Sequence, residues 1–201
     1  MIKSAIMTSA DITGKNGKPI VDQLLQPYNL FATDAGVVNP AVALNPGLVF
    51  DIEPNDYISY LCRLGYSDKQ ISAITSSSIS CSSYPEQTDL NYPSITVSLD
   101  SKGMEITTRV LKNVGHHVSV YRVSVMEPPG VKVVVTPSVL RFSASSKVQN
   151  ITVMFQGELG AGSSYASGFL KLTSKHNVVR CPLLLVSSST GSSNHPTRSV
   201  W

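Results

Sequence analysis

Hydrophobic and polar positions alternate with a period of two through most of the second half of the chain. Ile95, Val97 and Leu99 alternate with Thr96 and Ser98, and Ile106, Thr108 and Val110 with Thr107 and Arg109. Further runs follow at Val118–Met126, Val131/Val133/Val135, Leu140/Phe142, Ile151/Val153/Phe155, Gly168/Leu170/Leu172 and Val179/Cys181/Leu183/Leu185. Gly, Pro, Asn or Ser closes each run, as in Asn113-Val114-Gly115 and Pro128-Pro129-Gly130. Alternation sends every second side chain to one face, so each run predicts a strand with one buried face. Ile106, Thr108 and Val110 are the expected inward set of the second run. Between Val120 and Tyr121 the apolar phase slips, which predicts a bulge.

Seven or eight such strands, uninterrupted by a long helical period, predict a mostly β fold. Its main unit is a two-sheet antiparallel sandwich of immunoglobulin or fibronectin type III kind over residues 87–187. The first half reads as short helices and loops. Met1–Asp11 predicts a helix with Ile2, Ala5, Ile6, Ser9 and Ala10 on its packed face. Nothing later in the chain offers that face a partner such as a parallel sheet, so the pattern implies a missing N-terminal part. Thr13–Pro27 is a polar loop, and Asn39-Pro40 predicts an N-cap and first helical position. Leu48–Ile52 reads as a short apolar strand or extended segment. Asn55 is the expected cap of a helix through Leu64, stopped by Gly65. Ser67-Asp68-Lys69-Gln70 is a capping box, with Tyr66 and Ile71 as its staple, for a helix ending near Thr75. Ser76–Ser83 reads as a linker, the domain boundary falls at residues 86–87, and residues 188–201 form a disordered tail.

With 42% hydrophobic and 14% charged residues in 201, the chain can build an ordinary core. Its formal charge of +3 is scattered over isolated cations, which argues against a nucleic-acid partner. No stretch reaches the roughly 20 apolar residues that span a bilayer. The first residues alternate too much with Ser and Thr for a secretory signal, so the chain has none of its own. Cys62 and Cys81 bracket one helical unit and could pair, while Cys181 reads as a small core residue. Asn150-Ile151-Thr152 is an N-glycosylation triplet on a strand that turns Asn150 outward.

Catalytic chemistry finds no support in the residues. His116 and His117 fall in a hairpin-type turn, His176 in another turn and His195 in the tail, none beside a strained-turn serine. There is no C-x-x-C, H-E-x-x-H or calcium loop, and no G-x-G-x-x-G phosphate loop. In the small acidic cluster Asp51, Glu53 and Asp56, Asp56 is explained as a first-turn helix residue. The expectation is no catalytic residue, no metal ligand and no cofactor.

Several segments match a family in order. Ile2-Lys3-Ser4-Ala5-Ile6-Met7-Thr8-Ser9-Ala10 resembles the I-K-S-A-L-M-T-T-A helix of plant subtilisin-like serine proteases. Ala35–Pro40 and Ala43–Asp51 resemble A-G-H-V-N-P and A-L-D-P-G-L-V-Y-D, and Asp56-Tyr57 with Leu61–Tyr66 resembles D-Y and L-C-x-L-G-Y. Asp89–Ser94 matches the D-L-N-Y-P-S that opens the family's fibronectin type III-like domain. Thr108–Gly115 resembles T-R-T-V-T-N-V-G, and Val179–Leu183 resembles V-R-S-P-I. Val37 stands where the family has His, Asp34 where it has Gly, Leu172 near its Trp and Cys181 near its Ser. The family's Asp, His and Ser motifs and its oxyanion-hole Asn do not occur, so no catalytic residue carries over.

The resemblance implies that residues 1–86 are the helical remnant of a subtilisin-like α/β catalytic domain and that the sandwich follows it. The parent would be an extracellular, apoplastic endopeptidase. Its protein or peptide substrates would be bound by the absent catalytic domain, with self-association through the β-sandwich as the other contact. Neither nucleic acid nor membrane is an expected partner. This chain alone would be inactive and structural. The alternative is a stand-alone, non-catalytic β-sandwich that acts as a binding or decoy module.

Overall fold

In a computed structural model of the chain, the structure describes residues 1–14, 16–21, 24–26, 35–84, 89–99, 103–160 and 162–187. Asp34, the expected boundary at 86–87, and the tail 188–201 with His195 lie outside the described residues. The first half holds helices α1 (Ile2–Thr8), α2 (Pro40–Ala43), α3 (Pro54–Arg63) and α4 (Asp68–Thr75), with strand β1 (Leu48–Val49) between α2 and α3. A single 3-10 turn, Cys81–Ser83, follows α4. The second half holds β2 (Ile95–Leu99), β3 (Met104–Asn113), β4 (Ser119–Met126), β5 (Val131–Thr136), β6 (Val139–Phe142), β7 (Val148–Gly157), β8 (Tyr165–Thr173) and β9 (Val178–Ser187).

The strands form two sheets, in the orders β1-β3-β7-β5 and β2-β9-β8-β4-β6. Ile151, Val153 and Phe155 of the first sheet and Leu170, Leu172, Val179, Cys181, Leu183 and Leu185 of the second are fully buried between them. Two large side chains from the neighbouring strands β4 and β6, Tyr121 and Phe142, meet edge to face with ring centroids 5.9 Å apart. One pairing departs from the expected antiparallel pattern: β2 runs parallel to β9, Ile95 opposite Leu183 through Leu99 opposite Ser187. The chain enters the second sheet at its edge and leaves it along the neighbouring strand in the same direction.

The phase of β3 is the reverse of the expected one. Thr107, Arg109 and Leu111 are buried, whereas Ile106 is 54% and Val110 38% exposed. Register explains the reversal, because Thr107 lies opposite Val153 and Arg109 opposite Ile151, both inward on β7. The polar pair is bonded internally except at the Arg109 Nε, which is buried without a partner among the described residues. The Arg109 Nη1 donates to Thr107 Oγ1 at 2.7 Å and to the Thr108 carbonyl at 3.0 Å, and Thr107 donates to Asp89 at 3.0 Å. Arg109 also lies 3.9 Å from the Asp89 carboxylate. Burial pulls its guanidinium down from the ordinary value, with Asp89 acting in the opposite sense.

β4 has no bulge. Its register to β6 and β8 is continuous, with Tyr121, Val123 and Val125 inward and Val120 outward. Outward apolar residues at Val118 and Val120 produced the apparent slip in the sequence. The β3–β4 connection that carries His116 is likewise no hairpin, since the two strands belong to different sheets.

Local signals in the first half were read with one exception. Asn39 caps α2 through its side chain, with Pro40 as the first helical residue. Ser67 and Gln70 form the capping box of α4, which ends at Thr75. For α3 the cap is Glu53 and not Asn55: Pro54 occupies the first helical position, and the Glu53 amide donates to Asp56 at 2.8 Å.

Helix α1 also differs from expectation. Its buried residues are Ser4 and Thr8, and Ser9 and Ala10 of the expected face are buried just beyond its end, while Ile2 is 79% exposed. Ser4 is small enough to let the helix approach the chain at β1, and its hydroxyl accepts the Phe50 amide at 2.9 Å. The helix therefore finds its partner in β1, α2 and β9 of this same chain. It does so through the small residues Ser4, Thr8, Ser9 and Ala10, and the larger Ile2 and Ile6 stay outside.

Candidate functional site

Many hydrogen bonds among the described residues join the first half to the end of the sandwich. At their centre is the Asn45-Pro46-Gly47 turn, gripped by two connections. From the β3–β4 side, the Val114 and Gly115 amides donate to the Gly47 carbonyl at 2.9 and 3.1 Å. From the β8–β9 hairpin, Asn177 donates its carboxamide to the Asn45 carbonyl at 2.6 Å. Gly47 has φ +76°, and a Cβ there would sit 2.4 Å from the Tyr121 hydroxyl. Only glycine both adopts that backbone and leaves room for the clamp.

Three more contacts tie the halves together. Asn91 donates to the Asp51 and Val110 carbonyls at 3.0 and 2.8 Å and accepts the Val110 amide at 2.8 Å. One carboxamide thus bridges the segment after β1 to the middle of β3. Arg180 of β9 donates to the Ala35 carbonyl, beside an antiparallel bridge between Asp11 and Val37. Lys112 of β3 is paired with Asp51 at 3.0 Å.

The Lys112 ammonium holds the Asp51 carboxyl below its ordinary value, chiefly through that hydrogen bond. A carboxyl whose folded value is depressed stabilises the fold above its unfolded value, and the gain is lost as pH falls through the folded one. The expected result is a small gap in melting temperature between wild type and Lys112→Ala at pH 7 that closes below about pH 4. Melts across that range check it. A gap that persists at pH 2.5 would mean that Lys112 acts by packing.

The structure brings together two of the histidines. His116 and His176, from separate connections, place their ring centroids 4.7 Å apart. Two imidazoles are half of a tetrahedral zinc set, and among the described residues no group of three metal-ligating side chains forms. Sequence reading missed this contact because the residues lie on separate connections far apart in the chain.

A groove of about 590 Å³ between α1, α2 and the outer face of β8–β9 places Thr8, Ser9 and His176 on its walls. It has no activated nucleophile. Thr8 donates to the Ser4 carbonyl at 2.9 Å and Ser9 to the Ala5 carbonyl at 2.6 Å, so both hydroxyls are turned into their own helix. The acidic cluster is likewise accounted for by Lys112 and by the α3 cap. Cys181 is fully buried, and burial pushes its thiol up to about 12, which leaves no reactive thiolate.

A disulfide joins Cys62, at the end of α3, to Cys81 in the 3-10 turn. It pins the serine-rich segment back onto the helical unit, where the Cys81 amide also donates to Asp68 at 3.0 Å. Closing a loop of this size restricts the unfolded chain, so Cys62→Ser with Cys81→Ser is expected to cost about 3 kcal/mol in that unit. Hydrogen exchange resolved by peptide checks it: faster exchange in α3 and α4 with an unchanged sandwich is the expected outcome. Asn150 is exposed on β7, and its side chain bonds to no other described residue.

Comparison with known proteins agrees with this architecture. Residues 89–185 match the model of a fibronectin type-III domain family. Subtilisin-like protease SBT1.2 of Arabidopsis thaliana is 42% identical over 193 residues, covering 90% of this chain and 25% of that protein. Subtilisin-like protease SBT5.3 of the same plant is 37% identical over 186 residues, covering 92% of this chain and 24% of that protein. Among solved structures, PapD-like domain 7 of human CEP192 aligns over 49% of this chain and 83% of its own, with 17% identity and a TM-score of 0.40. The chain spans about a quarter of the length of the curated relatives it matches. It is a homologue of the plant subtilisin-like serine proteases, with a fibronectin type-III domain as its second half.

Proposed function

We propose that the chain is the C-terminal part of a subtilisin-like serine endopeptidase, and that it supports a catalytic domain without cutting peptides itself. The observation that carries this reading is a set of exposed large apolar residues in the first half. Ile2, Val37, Val38 and Leu44 are all more than half exposed, although α1 is well seated through Ser4 and Thr8. A catalytic domain is the partner that the relatives' names supply for that surface. Hydrolysis by a triad needs a nucleophile, a base and an oxyanion hole together, and the described residues assemble none of them. The Cys62–Cys81 bridge and the Asn150 triplet support an oxidising, secretory route for the parent, with the apoplast as its destination.

An antibody against the sandwich, used on source tissue, tests the first half of this reading. A band several-fold heavier than 21.6 kDa is expected, and a band at that mass would sink it. The second half is tested with the isolated chain: no peptide cleavage and no labelling by a fluorophosphonate probe are expected.

A second reading, a self-sufficient binding or decoy module, is favoured by the clamp around Gly47, which seats the first half firmly on the sandwich. Hydrogen exchange separates the two. Free exchange over residues 1–50 with protection over 90–186 supports an orphaned part, and protection throughout supports the module.

A further inference from the structure

The outer face of the β1-β3-β7-β5 sheet carries an apolar strip that no described residue covers. Register sets side chains in rows across three strands: Ile106 opposite Met154 and Met154 opposite Val134, then Thr108 opposite Thr152 and Thr152 opposite Thr136, then Val110 opposite Asn150. Ile106 is 54%, Val134 37% and Val110 38% exposed. Met104 lies beside Ile106 on β3, and Val148 lies on β7 opposite Lys112, each half exposed. Single exposed apolar residues are ordinary, but the Ile106–Met154–Val134 row is unbroken across three strands and calls for a cover. Two carboxamides of β7 share this face, Gln156 opposite Met104 and Asn150, and Asn150 is the first residue of the triplet Asn150-Ile151-Thr152. Strand alternation buries Ile151 completely and so turns both Asn150 and Thr152 to this same face. β7 is an inner strand of its sheet, which roots anything attached to Asn150 inside the strip and not at its rim.

We propose that Asn150 carries an N-linked oligosaccharide that lies over the Ile106–Met154–Val134 strip, and that this glycan is the cover of the face. This rests on the secretory reading given above. In the transfer, the Asn150 carboxamide nitrogen bonds to C1 of the first sugar of a lipid diphosphate-linked oligosaccharide. The C1–O bond to the diphosphate breaks, the lipid diphosphate leaves with the electron pair, and the amide nitrogen gives up one proton. Asn150 and Met154 are four positions apart on one strand, about 13 Å, and the three strands span about 10 Å. A branched core of a few sugars covers that area, with the C–H faces of its pyranoses against Ile106, Met154 and Val134.

The test uses the full chain, secreted from a glycosylating host behind an added leader. It compares wild type, Asn150→Gln, Thr152→Ala, and Asn150→Gln with Ile106→Ser and Met154→Ser. Intact mass reads occupancy, an apolar-surface dye reads the strip, and size exclusion reads association. The expected result is a glycan mass on wild type alone, dye binding raised at least twofold and association in the two single variants, and reversal of both in the triple variant. A glycan mass without a dye or association difference from Asn150→Gln overturns the cover while leaving the secretory reading intact. Absence of any glycan mass overturns both. Dimerisation of the glycosylated chain that Ile106→Ser and Met154→Ser abolish assigns the face to a second copy and overturns the proposal.

Discussion

Replacing Gly47 with alanine is expected to lower the stability of the full chain by about 2–5 kcal/mol. Two costs add. The residue sits at φ +76°, where an L side chain is strained, and the new Cβ would lie 2.4 Å from the Tyr121 hydroxyl and 2.7 Å from the Asn177 side chain. Neither neighbour can retreat freely. Tyr121 is buried in the core against Phe142, and Asn177 is held by its bond to the Asn45 carbonyl. Relief therefore has to come from the Asn45–Gly47 turn itself, which would withdraw its carbonyls from Val114, Gly115 and Asn177. Gly65→Ala is the control, because it has φ +85° but nothing within 4 Å of the added carbon. It should cost only the backbone strain, on the order of 1 kcal/mol. Thermal unfolding followed by circular dichroism reads both. For a chain of this length the Gly47 variant should melt roughly 6–15 °C lower. Equal shifts for the two glycines would show that the clamp is loose enough to absorb a methyl group.

Leu111→Ala is the second large effect, an expected loss of about 2–5 kcal/mol from the cavity left in a closed core. Leu111 is completely buried on β3, whereas Ile106, on the same strand, is 54% exposed. Ile106→Ala should therefore cost less than about 1 kcal/mol, although the two residues have the same volume and lie in one element. Chemical denaturation measures both midpoints, and an unchanged slope certifies that the comparison is of stability alone. If Ile106→Ala proved as costly as Leu111→Ala, the inward phase of β3 would be that of Ile106, Thr108 and Val110. The buried Arg109–Thr107–Asp89 group would then have to be wrong too.

These two effects belong to different layers of information. Gly47 was legible as a turn, since Pro46-Gly47 ends one run and begins another. That the turn is a keystone was not legible, because its clamps come from residues 114–115 and 177. Candidate-site reading followed the same division. The sequence motifs that carry the family resemblance were all local runs, and so were the caps of α2 and α4. The His116–His176 contact, the Asn91 bridge and the Arg180–Ala35 bond each join residues from distant runs, and no periodicity reports on them.

By itself the sequence determined the position of the sandwich strands β2 to β9, the α2 and α4 caps, and the relationship to plant subtilisin-like proteases. All of these rest on interactions within a few residues: a two-residue alternation, a turn, a capping side chain, a short motif. Tertiary structure alone decided which side of β3 and α1 faces inward, that β2 runs parallel to β9, and that β1 joins the sandwich. On β3 the local pattern was nearly symmetric, with Ile106 and Val110 on one side and Leu111 on the other. The tie was broken from outside the strand, by the large inward residues of β7 and by Asp89 as partner for a buried arginine. On α1, burial went to the residues small enough for a close approach to β1, and hydrophobicity did not decide it. Where local preference is balanced, the energy of packing against a distant element is the larger quantity and sets the outcome.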